Sequence, residues 1–534
     1  MYTFIADRVD DYDAVVGNKK VEKPDYIAFF NADKALKMLH KHITGDKPIA
    51  GHGDVDIDGI GSTYILYKFL LSQGALSRAG FLINREKDHG VSQRHVDYFA
   101  KSNTGLLIIL DSGTNDIDYI KQMNCDVLVV DHHEVLHNEL SGKTVGGEYV
   151  IVNNMIDNLD VGAINEFISN NLGGAKEYVK PYYAEERMSG GLVLYELLRL
   201  YQLAYNTSDI LETAMLYQWV GITLLTDVVP LSNSRNQYYM EKTVHSLDIE
   251  PSLKIIMNEL NPWAKYLSKS FINFTLAPML NRAIRAGESA MVLDIILNRP
   301  HDIRKLEIFK DSQKAVMNSY LDNTELYDTY VVKDITNTGI SKSYCGVLAT
   351  RLCEETNKNA AVYLVIDGIA EGSFRGRLAD VDYRKFFEDY REGIYAQGHK
   401  TAFGFKVKVN ELKQILEQLP TIESSVDTRP YVTMGDDIPL HERGKYHISD
   451  IDEFKRQGLL WQLAVANSKL SSEESISIVA LSRNLQFIEQ KGSVYKYRIF
   501  GLTCISFETI NTKFVEIYME YSGDVNIYVR NIKD

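Results

Sequence analysis

Cysteine is scarce in this sequence. Its four cysteines, Cys125, Cys345, Cys353 and Cys504, show no Cys-x-x-Cys spacing, so neither a zinc ribbon nor a disulfide framework is expected. No apolar run approaches the length of about 20 residues that a bilayer span needs, and Met1 to Arg8 lacks the apolar core of a signal peptide. A cytoplasmic, reducing, intracellular setting with no membrane partner is the expectation. Positive charge is also in deficit: 58 Lys and Arg stand against 72 Asp and Glu, a formal net charge of -14. A protein that coats nucleic acid needs the opposite balance, because it neutralises phosphates with basic side chains. Any nucleic-acid path here must be a local basic channel within an acidic exterior.

What the sequence does hold is a set of carboxylates and imidazoles placed after apolar runs. Asp131-His132-His133 follows Val127 to Val130, and Asp111-Ser112-Gly113 follows Leu106 to Leu110. His52-Gly53-Asp54-Val55-Asp56-Ile57-Asp58-Gly59 follows Pro48 to Gly51, and Asp227 follows Gly221 to Thr226. The carboxyl ends of buried strands are where open α/β sheets place ligands. Three carboxylates within five residues repel one another unless cations neutralise them. A calcium loop also spaces carboxylates by two, but its twelfth position must be a bidentate Glu; counted from Asp54 that position is Ile65.

Charge balance groups these residues. Asp56, Asp58, Asp111 and Asp227 would match two divalent cations, with neutral His52 and His132 completing the shells. Mixed carboxylate and imidazole ligands with open positions suit Mn²⁺ best, Mg²⁺ less well. A pair of such ions about 3.5–4 Å apart can clamp the attacking and leaving oxygens of a phosphoryl displacement. The expected chemistry is two-metal phosphoester hydrolysis.

At 534 residues the chain exceeds one core, and about 150 residues per domain suggests three or four. From about residue 25 to 235, strand-like and helix-like segments alternate, which implies a parallel sheet with crossover helices. Gln237 to about Leu326 is helix-rich and reads as a connector. A second α/β unit extends from there to about 420, containing the glycine-rich turn Gly372-Ser373-Phe374-Arg375-Gly376-Arg377. Small residues there allow close backbone approach, while Arg375 and Arg377 can grip phosphate as planar forks; His399 in the same unit could add a donor. Past Pro430, segments such as Tyr495 to Phe500 are rich in β-branched and aromatic residues. Tyr495, Tyr497 and Phe500 could stack on bases there, or pack a core.

These motifs, in order, resemble those of the DHH phosphoesterase superfamily. Ser189-Gly190-Gly191, Asp227-Val228-Val229-Pro230-Leu231, Ala277-Pro278 with Asn281, Gly372 to Arg375 and Gly398 to Phe405 narrow the resemblance to the RecJ-like single-strand-specific 5′-to-3′ exonucleases, over roughly residues 45 to 410. Two positions depart from that pattern: Arg235-Asn236 reverses the usual Asn-Arg, and Met279 replaces an Arg after Ala-Pro. The resemblance implies an α/β fold with a DHH catalytic domain (1–235), a helical connector (236–329), a DHH-associated substrate-binding domain (330–425) and a β-rich OB-like domain (426–534).

It further implies hydrolysis of single-stranded DNA from its 5′ end to 5′-mononucleotides, in repair, recombination or replication, by a monomer with a helicase or single-strand-binding protein as candidate partners. Metal ligands are expected at His52, Asp56, Asp58, Asp111, His132 and Asp227. Asp111 bridges the ions, with His52 and Asp56 on one and Asp58, His132 and Asp227 on the other. Catalytic residues are Asp111, His133 facing the phosphoryl oxygen, and Asp131, which with Asp54 orients ligands. Substrate phosphate is expected at Ser373, Arg375, Arg377 and His399. Competing readings are a DHH-type phosphodiesterase of short oligonucleotides or cyclic dinucleotides, and a non-catalytic scaffold, which would have no reason to keep all six ligands.

Overall fold

The computed structural model describes residues 22–419 apart from 84–89, 159, 173–178, 185–186, 232, 245, 263, 300–302, 379–380 and 392–393; beyond 419 it describes 431–434, 447–448, 464, 467, 477–491, 494–499, 502–521 and 525–531. The first sheet comprises β1 (Ile49–Gly53), β2 (Ala79–Ile83), β3 (Leu106–Leu110), β4 (Asp126–Asp131), β5 (Ser141–Lys143) and β6 (Glu148–Asn153). Their order is β2-β1-β3-β4-β6-β5, parallel throughout except for the edge strand β5. The unbroken apolar runs of β3 and β4 follow from burial on both faces. Leu106, Ile108, Leu110, Leu128 and Val130 enter the main core on one face, whereas Leu107, Ile109, Val127 and Val129 pack a second core on the other.

Helices α1 (Ala32–Thr44), α2 (Ile57–Ser72) and α3 (Gln93–Ala100) cover the faces as the alternation predicts, and α4 (Gly190–Tyr205), α5 (Tyr217–Thr226) and α6 (Ser234–Thr243) complete this lobe. α2 is apolar nearly all round because it is wedged between the sheet, α4 and α5. Arg235 and Asn236, the reversed pair, are both buried. Arg235 Nη1 pairs with Glu196 Oε1 at 3.0 Å, and Asn236 Nδ2 donates to the carbonyls of Arg187 and Pro230 at 2.8 and 2.6 Å. Their roles here are internal braces.

Helical segments continue to Asn318 and include α7 (Ala277–Arg285). Thr324–Leu326, expected within the connector, is instead β7, the edge strand of a second sheet; three residues are too few to show alternation, and its pairing with β8 defines it. That sheet contains β7, β8 (Tyr330–Asp334), β9 (Asn359–Ile366), β10 (Ile369–Arg375), β11 (Tyr395–His399) and β12 (Ala402–Lys408), ordered β11-β12-β10-β9-β8-β7. α8 (Cys345–Thr356) covers one face, and α9 (Tyr383–Tyr390) lies on the other. Gly372 to Arg375, read as part of a turn, lies inside β10: Ala370, Gly372 and Phe374 are buried, and Glu371, Ser373 and Arg375 share the opposite face. Glycine and arginine content imitated a turn, while the register is set by cross-strand partners on β9 and β12.

The carboxyl-terminal region is strand-rich, with an eight-stranded sheet running from Tyr431–Met434 to Val525–Asn531. Tyr497 is buried against Phe487, so it belongs to a core; Tyr495 is half-buried and Phe500 lies outside the described residues. No helix among the described residues is long and apolar enough to cross a membrane.

Candidate metal centre

Register of the first sheet sets the chemistry in one row. Gly53 pairs with Leu110, Leu110 with Val130, and Val130 with Val152. The ladder continues one residue further, with Asp54 N donating to Leu110 O at 3.1 Å and Asp111 N to Val130 O at 2.9 Å. Asp54, Asp111 and Asp131 therefore leave the carboxyl edge at one level. Asp111 turns immediately into the left-handed region, φ 60°, which Asp and Asn tolerate better than other non-glycine residues.

The remaining donors arrive on helix termini. Asp56 caps α2, its Oδ1 accepting from Gly59 N at 3.0 Å, and Asp58 follows in the first turn. Both oxygens of Asp58 are gripped by the start of α4, from Gly190 N at 2.7 Å and Gly191 N at 2.8 Å. A helix amino terminus suits this task, since its free N–H groups carry partial positive charge. Asp227, unlike the others, follows a helix, at the C-cap of α5; the apolar run before it is buried on all sides of that helix.

Three groups of side chains each bring donor atoms within 4.8 Å of one another: Asp54, Asp56 and Asp111; Asp58, His132 and Asp227; and Asp111, His132 and His133. His132 joins them, with Nε2 3.0 Å from Asp111 Oδ1 and Nδ1 3.5 Å from Asp227 Oδ2. Asp54, expected as an orienting residue, thus stands where His52 was expected. His52 joins none of these groups. Its Nε2 lies 3.4 Å from Gly90 O, its ring centre is 4.7 Å from that of His95, and its buried Nδ1 has no hydrogen-bond partner among the described residues.

Asp131 contacts both histidines that follow it. Its Oδ1 accepts from His132 N at 2.7 Å and from His133 Nδ1 at 2.8 Å, while Oδ2 accepts from Thr114 N at 3.0 Å. Burial alone would raise this carboxyl, but the charge and hydrogen bond of His133 outweigh it and hold Asp131 well below the ordinary range. Burial would likewise lower His133, yet the Asp131 carboxylate pushes it up to about 10. Asp58 and Asp111 move the other way: burial, then like charge from Asp227 and Asp56 on Asp58 and from Asp58 and Asp56 on Asp111, raises both well above 3.8.

The residues fit divalent cations. Buried oxygens that repel one another, mixed with imidazole nitrogen, are what cations would relieve, and the partnerless His52 Nδ1 is a further nitrogen donor. Close packing enforces the geometry. A Cβ on Gly190 would stand 2.6 Å from Asp111 Oδ1, and one on Gly191 2.7 Å from Thr223 Oγ1. Gly190→Ala is expected to leave α4 helical, since Ala favours helix over Gly, while the overpacking costs about 1–3 kcal/mol. Calorimetric titration with Mn²⁺ should show affinity lowered about 10–100-fold, and unchanged affinity would show that Asp111 is free to move.

The residues expected at the substrate phosphate lie apart from these groups. A Cβ on Gly346, in the first turn of α8, would be 3.1 Å from Arg375 Nη2 and 3.6 Å from Ser373 Oγ; Arg375 Nε donates to Thr350 Oγ1 at 3.1 Å. Arg377 is exposed. His399 ends β11, and its side chain lies outside the described residues. Among the described residues, no hydrogen bond or ion pair links Ser373, Arg375 or Arg377 to the carboxylate and histidine groups. The second lobe reaches them through Gln397 and Gly398, which share a cavity of about 80 Å³ with Asp54, Asp131 and His133.

Some relevant residues gave no signal in the sequence. Asp116, whose carboxyl burial pushes up to about 6, accepts from Val91 N at 2.8 Å and so pins the turn whose Gly90 carbonyl meets His52. Arg285 of α7 is pushed below its ordinary value by burial and then by the charges of Arg282 and Arg375. Neither stands in a recognisable spacing.

Residues 48–153 match the model of the DHH family, N-terminal domain. Over 99% of its length the chain is 21% identical to an SPbeta prophage-derived chain of Bacillus subtilis (strain 168) that bears the name of a single-strand DNA-specific exonuclease, covering 91% of it. Half of the chain is 24% identical to the single-stranded-DNA-specific exonuclease RecJ of Escherichia coli (strain K12), spanning 44% of that protein. Among solved structures, RecJ of Thermus thermophilus in complex with Mn²⁺ superposes with a TM-score of 0.65 at 16% identity, covering 98% of this chain and 75% of the other. Its Mg²⁺ complex gives 0.60 over 98% and 74%.

Proposed function

From the match of residues 48–153 to the DHH family, N-terminal domain, and the fold shared with RecJ, we propose a DHH-type, metal-dependent exonuclease that hydrolyses single-stranded DNA from the 5′ end and releases 5′-mononucleotides. The observation that carries this reading is the meeting of two carboxylate-rich groups at the Asp111–His132 contact of 3.0 Å. Asp54, Asp56 and Asp111, with His52 at the margin, would hold one divalent cation, and Asp58, His132 and Asp227 a second. Mn²⁺ and Mg²⁺ both suit these donors. When bound, the cations supply Lewis-acid stabilisation of charge on the phosphoryl and leaving oxygens.

The chain's own residues do the rest. His133, held protonated by Asp131, offers a charge-assisted hydrogen bond to a phosphoryl oxygen as charge develops there. Asp131 fixes the pitch of both histidines. Ser373 and Arg375, beside the amino terminus of α8, with Arg377 and His399, would form the receptor for the terminal phosphate. The crowding of Arg285 by Arg282 and Arg375 is relieved by an anion, which supports a phosphate there. The division into catalytic, connector, substrate-binding and strand-rich carboxyl-terminal parts is part of the same proposal, with β7 assigned to the third part.

Digestion of matched DNA and RNA oligonucleotides labelled at either end, with Mn²⁺ and with Mg²⁺, tests the reading. Loss of 5′ label as mononucleotide from DNA is expected, and turnover confined to dinucleotides would favour a short-substrate phosphodiesterase. Arg375→Gln should raise KM for a 5′-phosphorylated strand about tenfold or more, the worth of a charged hydrogen bond of about 1.5–3 kcal/mol, at unchanged metal affinity. An unchanged KM removes Arg375 from the phosphate site.

A further inference from the structure

The cavity of about 80 Å³ between the lobes is walled by the His133 loop and by Gln397–Gly398. One side chain outside the motifs touches both walls. Arg384, in the first turn of α9, forms an ion pair through Nη1 with Glu134 Oε2, the residue after His133. The same Nη1 donates to Gly398 O at 3.3 Å, and the backbone N of Arg384 donates to Lys400 O at 3.1 Å. The turn so held also closes on the phosphate strand, since Gly376 N donates to Thr401 O at 2.7 Å. On the opposite wall, Glu134 O accepts from Asn115 Nδ2 at 2.8 Å, and Leu136 N donates to Asn115 Oδ1 at 3.0 Å. The Arg384 side chain is only 12% exposed and Glu134 52% exposed, so the guanidinium is fixed within its lobe and the carboxylate closes onto it.

We propose that Arg384 is a positioning residue that latches the two lobes, setting the gap between the His133 loop and the Gly398–Thr401 turn through its bridge to Glu134. The inference rests on the nuclease reading for its catalytic consequence, because that gap separates the phosphate-binding strand from the donor groups. Among the described residues Arg384 touches no metal donor, and it is not itself catalytic. The Glu134 end of the pair is half exposed, so the pair itself contributes modestly to stability, and loss of the latch moves the turn without unfolding either lobe.

The test compares Glu134→Gln, Arg384→Gln and the double variant in the full chain. Backbone hydrogen exchange of residues 397–401 reads the turn directly, and kcat/KM on a 5′-labelled single strand reads the consequence. Each single variant is expected to speed exchange and lower kcat/KM about tenfold, with thermal stability nearly unchanged and the double variant no worse than either single. Exchange unchanged in both single variants, or activity losses that multiply in the double, overturns the latch. If the unaltered chain cleaves no single strand, the nuclease reading fails while the exchange comparison still decides the latch.

Discussion

Asp111→Asn is expected to lower metal-dependent turnover by about a thousandfold or more, equivalent to about 4 kcal/mol of barrier, while raising the melting temperature of the metal-free protein. Both effects come from one carboxylate. Asp111 takes part in two of the three donor groups and lies 3.0 Å from His132 of the group proposed for the second cation, so in the proposed arrangement its charge would act on both cations. Without metal the same charge is a burden, buried and facing Asp58, Asp56, Asp54 and Asp227. Removing an uncompensated buried charge stabilises, and about 1 kcal/mol moves a domain of this size by about 2–4 °C. Asn is the variant of choice because φ is 60°: it tolerates this conformation, whereas Ala adds strain of about 1 kcal/mol or more. Asp111→Ala should therefore lose activity with a smaller gain in stability, or none. Thermal melting beside a turnover assay reads both, and retained turnover in Asp111→Asn would remove the shared-ligand role.

Divalent cation is expected to stabilise the folded chain strongly and to erase a pH dependence that the metal-free protein shows. At a thousand times its dissociation constant, each bound ion adds about 4 kcal/mol. The sign of the pH effect follows from Asp58 and Asp111, whose folded values are raised above 3.8. Their stabilising contribution is fully present below the unfolded value and is lost as pH rises through the folded one. Chelator-treated protein should thus melt at progressively lower temperature as pH rises above the ordinary carboxylate range, and Mn²⁺ should flatten that slope by favouring the ionised carboxylates. Calorimetry should count two ions, with Asp227→Asn reducing the count to one. A single ion in the unaltered chain would overturn the two-cation arrangement.

Much of this centre was legible because strand ends announce themselves. Leu106 to Leu110 before Asp111 and Val127 to Val130 before Asp131 are runs that only a doubly covered parallel sheet needs, and such a sheet delivers the residues after each run to a common edge. Asp227 does not follow that rule: the apolar run before it, Gly221 to Thr226, ends helix α5. What escaped depends on contacts between distant residues. Nothing local to Asp116 reveals that it pins Gly90 beside His52, and nothing near Arg384 reveals Glu134, 250 positions earlier in the chain. Exchange of Asp54 for His52 among the clustered donors was hidden for a related reason: spacing along a turn does not state which side chain the neighbouring strand and Gly90 leave facing the row. Gly372 to Arg375 misled because composition was weighed above alternation, and the alternation was present in Ala370, Gly372 and Phe374.

Asp58 receives both its hydrogen bonds from residues more than 130 positions downstream, Gly190 and Gly191, and Asp227 comes later still. During synthesis the centre therefore cannot exist until the segment carrying α4 and α5 has left the ribosome and docked. A nascent chain carrying the earlier motifs alone would hold carboxylates without the amides that orient them. On the proposed reading, cation loading would in this sense be a late event in biogenesis, with hydrolytic capacity withheld until the first lobe is whole.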